Sequence, residues 1–157
     1  MKIHTCTCVI IAKEGFIVYK PNPFEQYTSI FKALSDETRL KIIWLLCTID
    51  SKICASEIMD VLGETQYNVS RHIKVLKNTG LDYEKKEGKW TFYYYRPAED
   101  TFDAFVKSAV ASIPHHLMEK EILRCKHRLD MRVDGKCVVG LASEEWDSEL
   151  QKIEKEK

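Results

Sequence analysis

The residues best equipped for chemistry in this 157-residue chain are six cysteines: Cys6, Cys8, Cys47, Cys54, Cys125 and Cys137. Thiolates bind soft metals and metalloids, and they oxidise, so metal binding, redox sensing and plain burial are the roles open to them. Cys6-Thr7-Cys8 is a Cys-x-Cys. In an extended segment its two sulfurs leave from one side, because side chains alternate with period two. Cys125 and Cys137 could form a disulfide, a persulfide bridge or a metal site, provided the fold brings their Cα atoms within about 7 Å. Cys47 lies in the apolar run 42–49 and is expected in the core.

A second chemistry lies between Thr65 and Arg96. The whole chain is balanced, with 24 basic and 24 acidic residues, yet this stretch is not. Arg71, Lys74, Lys77, Lys85, Lys86, Lys89 and Arg96 face only Asp82, Glu84 and Glu87. Local basic excess, with amide and hydroxyl side chains interleaved, suits a nucleic-acid surface. Catalysis has no comparable signal. His4, His72, His115, His116 and His127 are scattered, and neither a nucleophile–base grouping nor a phosphate-binding glycine loop is present. Neither an enzyme nor a catalytic cofactor is expected. No apolar run approaches the roughly 18 residues of a membrane span, so no membrane partner is expected. The start, MKIHTCTCVIIAKEGF, offers no small-residue cleavage site. These features predict a cytoplasmic protein, where structural disulfides are disfavoured.

The elements that must position these residues follow from periodicity. Residues 1–23 read as an irregular N-terminal arm closed by Pro21-Asn22-Pro23. A helix is predicted over 24–34, with Tyr27, Ile30, Phe31 and Leu34 on one face. Ser35 or Asp36 caps a second helix burying Leu40, Ile43, Trp44 and Cys47. A short third helix, 54–62, stops at Gly63. Thr65 caps a fourth over 66–78, which Gly80 ends. There the period changes to two, predicting strands 81–86 and 89–96 joined at Glu87-Gly88. A long helix, 100–128, is interrupted near Pro114, and a last charged helix begins near Ser143. The chain is thus mainly α with a small β-hairpin wing, a winged helix-turn-helix. It divides into an arm (1–23), a winged helix-turn-helix domain with the basic stretch (24–128) and a tail with a short helix (129–157).

The fourth helix buries Val69, Ile73 and Leu76, which turns Gln66, Tyr67, Asn68, Ser70, Arg71 and Lys74 outward. Asn and Gln can pair with adenine edges and Arg with guanine, while Lys85, Lys86 and Lys89 at the hairpin tip suit backbone phosphates. Double-stranded DNA is therefore the expected partner. The competing possibility is a winged-helix protein-interaction module, since fold alone does not fix function. Such a module should carry apolar residues on that outward face.

The stretches ALSDETRLKII, VSRHIKVLKNTGL and EGKWTFYY resemble the ArsR/SmtB family of metal- and stress-responsive repressors, over about residues 27–97. The resemblance implies a symmetric homodimer on a near-palindromic operator, with inducer binding lowering DNA affinity. It marks Gln66, Tyr67, Asn68, Ser70, Arg71 and His72 as reading positions, and Lys86 and Lys89, around Gly88, as the wing. Many relatives carry Cys-x-Cys in the third helix. Here Cys54 keeps the first cysteine and Ser56 replaces the second. Other relatives complete the site from an N-terminal arm, which implies a three-thiolate site of Cys6, Cys8 and Cys54 for As(III), Cd or Pb. A zinc-type site is implied by Asp103, His116 and Glu119, with Phe105 where a further histidine would stand. A redox or reactive-sulfur sensor using Cys125 and Cys137 is the alternative input.

Overall fold

The computed structural model describes residues 7–11, 17–49, 51–140 and 143–155, with side chains from residue 22 onward. Helix α1 (Glu25–Leu34) leads into α2 (Glu37–Thr48). Asp36 caps α2 by accepting from the Arg39 amide at 3.0 Å, which consumes one free donor of the first turn. Helix α2 is the centre of the molecule. Ile42, Ile43, Trp44, Leu45 and Leu46 are all buried, so it is apolar nearly all round, not on one stripe. Trp44 Nε1 donates to the Ile113 carbonyl at 3.2 Å, satisfying its only polar atom.

Helices α3 (Ala55–Leu62) and α4 (Gln66–Thr79) form the helix-turn-helix. Gly63 joins them at φ 69°, a left-handed conformation that would strain an L side chain. Thr65 caps α4 through the Asn68 amide, and Gly80 ends it at φ 73°. The wing is an antiparallel pair, β4 (Asp82–Glu87) and β5 (Trp90–Tyr95), turning at Gly88-Lys89. A third strand, β3 (Ile53–Cys54), sits on the other side of β5, with Cys54 opposite Phe92 and Ile53 opposite Tyr93.

The long C-terminal helix is three pieces. These are α5 (Thr101–Ala111), a 3-10 turn (His115–Met118) and α6 (Glu119–Asp130). Pro114 has no amide to donate and caps the 3-10 turn. Helix α6 packs on α3, and α7 (Glu144–Lys155) packs on α6, burying Trp146 and Ile153. Arg96, just after β5, reaches Asp103 of α5 at 2.6 Å and Glu99 at 3.2 Å. Its guanidinium also lies over Gly80, 3.6 Å from where a Cβ would stand. No described helix is long and apolar enough to cross a membrane.

One correction concerns the arm. It was expected to be irregular, but β1 (Thr7–Ile11) and β2 (Ile17–Pro21) pair antiparallel, with Cys8 opposite Lys20. Val9, Ile10, Ile11, Ile17 and Val18 supply the β-branched character that such pairing favours.

Candidate functional site

Helix α4 presents an outward face of Gln66, Tyr67, Ser70, Arg71 and Lys74, all exposed. Tyr67 is 74% exposed, and the Arg71 guanidinium lies 6.0 Å from its ring centroid. That contact restricts two long side chains on the same surface. Asn68 is half-buried, its amide donating to Glu64 at 3.0 Å. His72 is a correction. It is 6% exposed, and its Nδ1 lies 3.5 Å from Asp36 at the start of α2. It sits one position before Ile73, on the packed side of the helix, and is not available to a groove. Asp36 is held below the usual carboxylate range, first by the Arg39 amide and further by the cationic Arg39.

The basic excess divides in two. Lys77 pairs with Glu84, Lys85 with Glu87 at 3.3 Å, and Arg96 with Asp103 and Glu99. Arg71, Lys74, Lys86 and Lys89 form no ion pair among the described residues and are all exposed. Lys89 at the wing turn lies 5.1 Å from the Trp90 ring centroid. The unpaired cations are therefore the ones on the reading helix and at the wing tip, where phosphate contact needs them.

The thiols gather differently from expectation. Cys54 and Cys137 are 0% and 2% exposed, with their sulfurs 3.5 Å apart. Ser56 Oγ lies 3.0 Å from Cys54 Sγ and 3.8 Å from Cys137 Sγ. Phe92 and Trp90 of the wing strand pack against the pair. Cys125 instead belongs to the main core, where burial pushes its thiol up to about 12. The expected pair of Cys125 with Cys137 is thus replaced by Cys54 with Cys137, 83 residues apart. Cys47 packs at the edge of the core, also pushed up to about 12 by burial. Cys6 lies outside the described residues, and Cys8 is described only in its backbone, within β1.

Charged groups surround the thiol pair. Glu57 accepts from the Cys54 amide and from both Nε and Nη2 of Arg132, each at 2.8 Å. Arg128, fully buried, donates to Asp60 at 2.7 Å and to the Val139 carbonyl at 2.9 Å. Its Nη2 stands 3.8 Å from Cys137 Sγ, and its Nη1 has no partner among the described residues. The Cys54 thiol donates to Cys137, which holds Cys137 below the usual thiol range and Cys54 above it. Cys137, Glu57, Arg128 and Arg132 were not picked out together because they come from α3, α6 and the tail, with no local spacing to announce them. Arg128 on the last turn of α6 and Arg132 just after it were the available signal, since a buried arginine needs a buried partner.

The zinc-type residues do not assemble. Asp103 is buried on α5 and committed to Arg96, while His116 and Glu119 are exposed on the 3-10 turn and α6. Within one protomer, the end of α5 at Ala111 and the turn after Pro114 stand between Asp103 and the other two. Among the described residues, one group of three or more His, Cys, Asp or Glu has ligand atoms within 4.8 Å of one another: Cys54, Glu57 and Cys137.

Comparison with known proteins agrees with this architecture. The profile described as "Bacterial regulatory protein, arsR family" matches residues 36–81, which cover α2, α3 and α4. An uncharacterized HTH-type transcriptional regulator of Methanocaldococcus jannaschii is 41% identical over 71 residues, 45% of this chain and 79% of that protein. An arsenical resistance operon repressor of Bacillus subtilis is 32% identical over 74 residues, 47% of this chain and 70% of that repressor. Its counterpart in Escherichia coli is 38% identical over 68 residues, 43% of this chain and only 57% of that repressor. The helix-turn-helix, its wing and these matches together place the chain in the ArsR family of transcriptional regulators.

Proposed function

We propose that this protein is a homodimeric repressor that lays α4 in the major groove of operator DNA and is released by a thiophilic metalloid or metal. The observation that carries the reading is the outward face of α4. Gln66, Tyr67, Ser70, Arg71 and Lys74 are exposed and polar, flanked by the unpaired Lys86 and Lys89 of the wing. An interaction module would present apolar side chains there, and Tyr67 is the only large ring. Asn68 contributes from the edge of the face once DNA competes with Glu64.

Dimerisation is supported by a different face. Tyr27 and Phe31 of α1 meet Phe102 of α5 edge-on, with centroids 4.8 and 5.8 Å apart. Phe31 and Phe105 remain 60% and 70% exposed. Exposed rings clustered on two packed helices mark an association surface. As(III), Cd or Pb at cysteine thiolates is the inducer class, because Cys54 opens α3 beside the reading helix and arsenical resistance repressors are among the relatives. The resemblance offers Cys6 and Cys8 of the arm as an alternative source of further thiolates, and the number of sulfurs around a bound metalloid decides between the two ligand sets.

The test is fluorescence anisotropy of the reduced protein on DNA from upstream of its own gene. Tight, salt-sensitive binding that arsenite or Cd²⁺ reverses is expected. Absence of specific binding overturns the repressor. Binding that no thiophilic species reverses overturns the inducer class alone.

A further inference from the structure

We infer that Cys54 and Cys137 form a two-thiol site, within a single protomer, for a neutral trigonal metalloid hydroxide such as arsenite. The inference rests on the repressor reading above, and it names both the ligand set and the route to DNA.

The donor set decides the ligand class. Two sulfurs 3.5 Å apart are already placed to share one atom with pyramidal geometry. A four-coordinate ion such as Zn²⁺ or Cd²⁺ needs two further lone-pair donors. Glu57 is the nearest carboxylate, but both its oxygens are held by Arg132 and one also by the Cys54 amide. Ser56 Oγ, 3.0 Å from Cys54 Sγ, is a neutral hydroxyl, and the Val139 carbonyl, 3.6 Å from Cys137 Sγ, already accepts from Arg128, so neither matches a thiolate or imidazole as a ligand. Arg128 brings Nη2 to 3.8 Å from Cys137, and its Nη1 is buried without a partner among the described residues. A metal cation gains nothing from a guanidinium. An oxygen substituent on a metalloid can accept from one.

The chemistry balances without a redox step. Each thiol gives its proton to one hydroxyl of As(OH)₃, so two As–O bonds break, two As–S bonds form and two waters leave. The product keeps one hydroxyl and is neutral, as were its components. No charge is carried into a site where desolvating an ion is costly. Entry is through the cleft of about 550 Å³ lined by Gly88, Lys89, Trp90, Phe92, Cys137 and Val138.

The same cleft lies against the wing, which supplies the readout. Cys54 belongs to β3, hydrogen-bonded to β5 opposite Phe92, and Cys137 packs on that ring. Joining the two sulfurs fastens the tail to the base of the wing and leaves its position no longer free to follow the DNA backbone.

The test uses the full-length reduced protein and arsenite as the probe. Arsenic X-ray absorption of the wild-type complex is expected to show two sulfurs and one oxygen per arsenic, at one arsenic per protomer. Cys137→Ser and Cys54→Ser should each weaken arsenite binding, followed by tryptophan fluorescence, by at least the roughly 100-fold upper limit for losing an outer-shell partner. The Cys6→Ser/Cys8→Ser double variant should bind and release DNA as wild type. Three sulfurs around arsenic would overturn the inference in favour of the arm. So would Cys137→Ser protein that retains its melting temperature and binds arsenite unchanged, or Cd²⁺ that displaces arsenite stoichiometrically. A wild-type protein that fails to bind operator DNA at all is a different failure, that of the repressor reading. Arsenite uptake by the two thiols would still be read directly from the spectrum.

Discussion

The Arg132 guanidinium grips both carboxylate oxygens of Glu57, Nε to Oε1 and Nη2 to Oε2, each at 2.8 Å. The two residues are 75 apart in the chain, and the pair joins the first turn of α3 to the segment after α6. Arg132 also donates to Ser51 Oγ and the Lys52 carbonyl, so it fixes the approach to β3 as well. Breaking a buried pair from one side leaves the other charge uncompensated. Arg132→Met is expected to lower stability by about 3–5 kcal/mol. Glu57→Gln combined with Arg132→Met should recover much of that loss. Urea unfolding of the two single variants and the double variant measures it, and additive losses would refute the coupling.

On the reading head, Arg71→Ala should weaken operator binding by about 1–3 kcal/mol if its guanidinium pairs with a base. Lys86→Ala and Lys89→Ala should weaken specific and non-specific binding alike, each lowering the salt slope by about 1. His72→Ala, in contrast, should act through stability, because the ring is buried against α2. Anisotropy titrations at several salt concentrations separate these effects.

Asp82 begins the wing and is buried, its Oδ1 without a partner among the described residues, and burial pushes its carboxyl from 3.8 up to about 6. The fold therefore favours the protonated form. Its stabilising contribution is full below its ordinary value and is lost as pH climbs through about 6. Asp82→Asn should gain stability over wild type as pH rises, by at most about 3 kcal/mol near neutrality. Denaturation midpoints at about pH 4 and pH 7 check the sign, and a constant difference across that range would contradict it.

Phe105→Glu places a charge on the most exposed ring of α5. Sedimentation should show a monomer, and operator affinity should fall because one reading head then binds without its twin. A dimer that survives both Phe105→Glu and Phe31→Glu would place the association surface elsewhere.

Much of the frame was legible because it is written in local terms. Asp36 and Thr65 cap the helices expected of them, Gly63 and Gly80 take left-handed conformations, and the change from helical to two-residue period falls at the wing. The arm was misread because Pro21 and Pro23 drew attention from the alternating segments before them. His72 was assigned outward by resemblance, although its helical position before Ile73 points inward. The pairing of Cys54 with Cys137 was out of reach for a more basic reason. Contacts across 83 residues are set by how α6 lies on α3, and no periodicity within either segment encodes that.

Arg96 touches three elements at once: the last residue of the wing strand precedes it, Asp103 of α5 binds it, and Gly80 at the end of α4 leaves room beneath it. In the proposed dimer, α5 lies at the two-fold axis and α4 lies in the groove. A single side chain then serves as the strut between the symmetry axis and each reading head. The two heads of such a dimer meet half-sites about 34–36 Å apart, one turn of the duplex. Shortening the strut, as in Arg96→Lys, would retune which operator spacing the protein accepts while leaving its preferred bases unchanged.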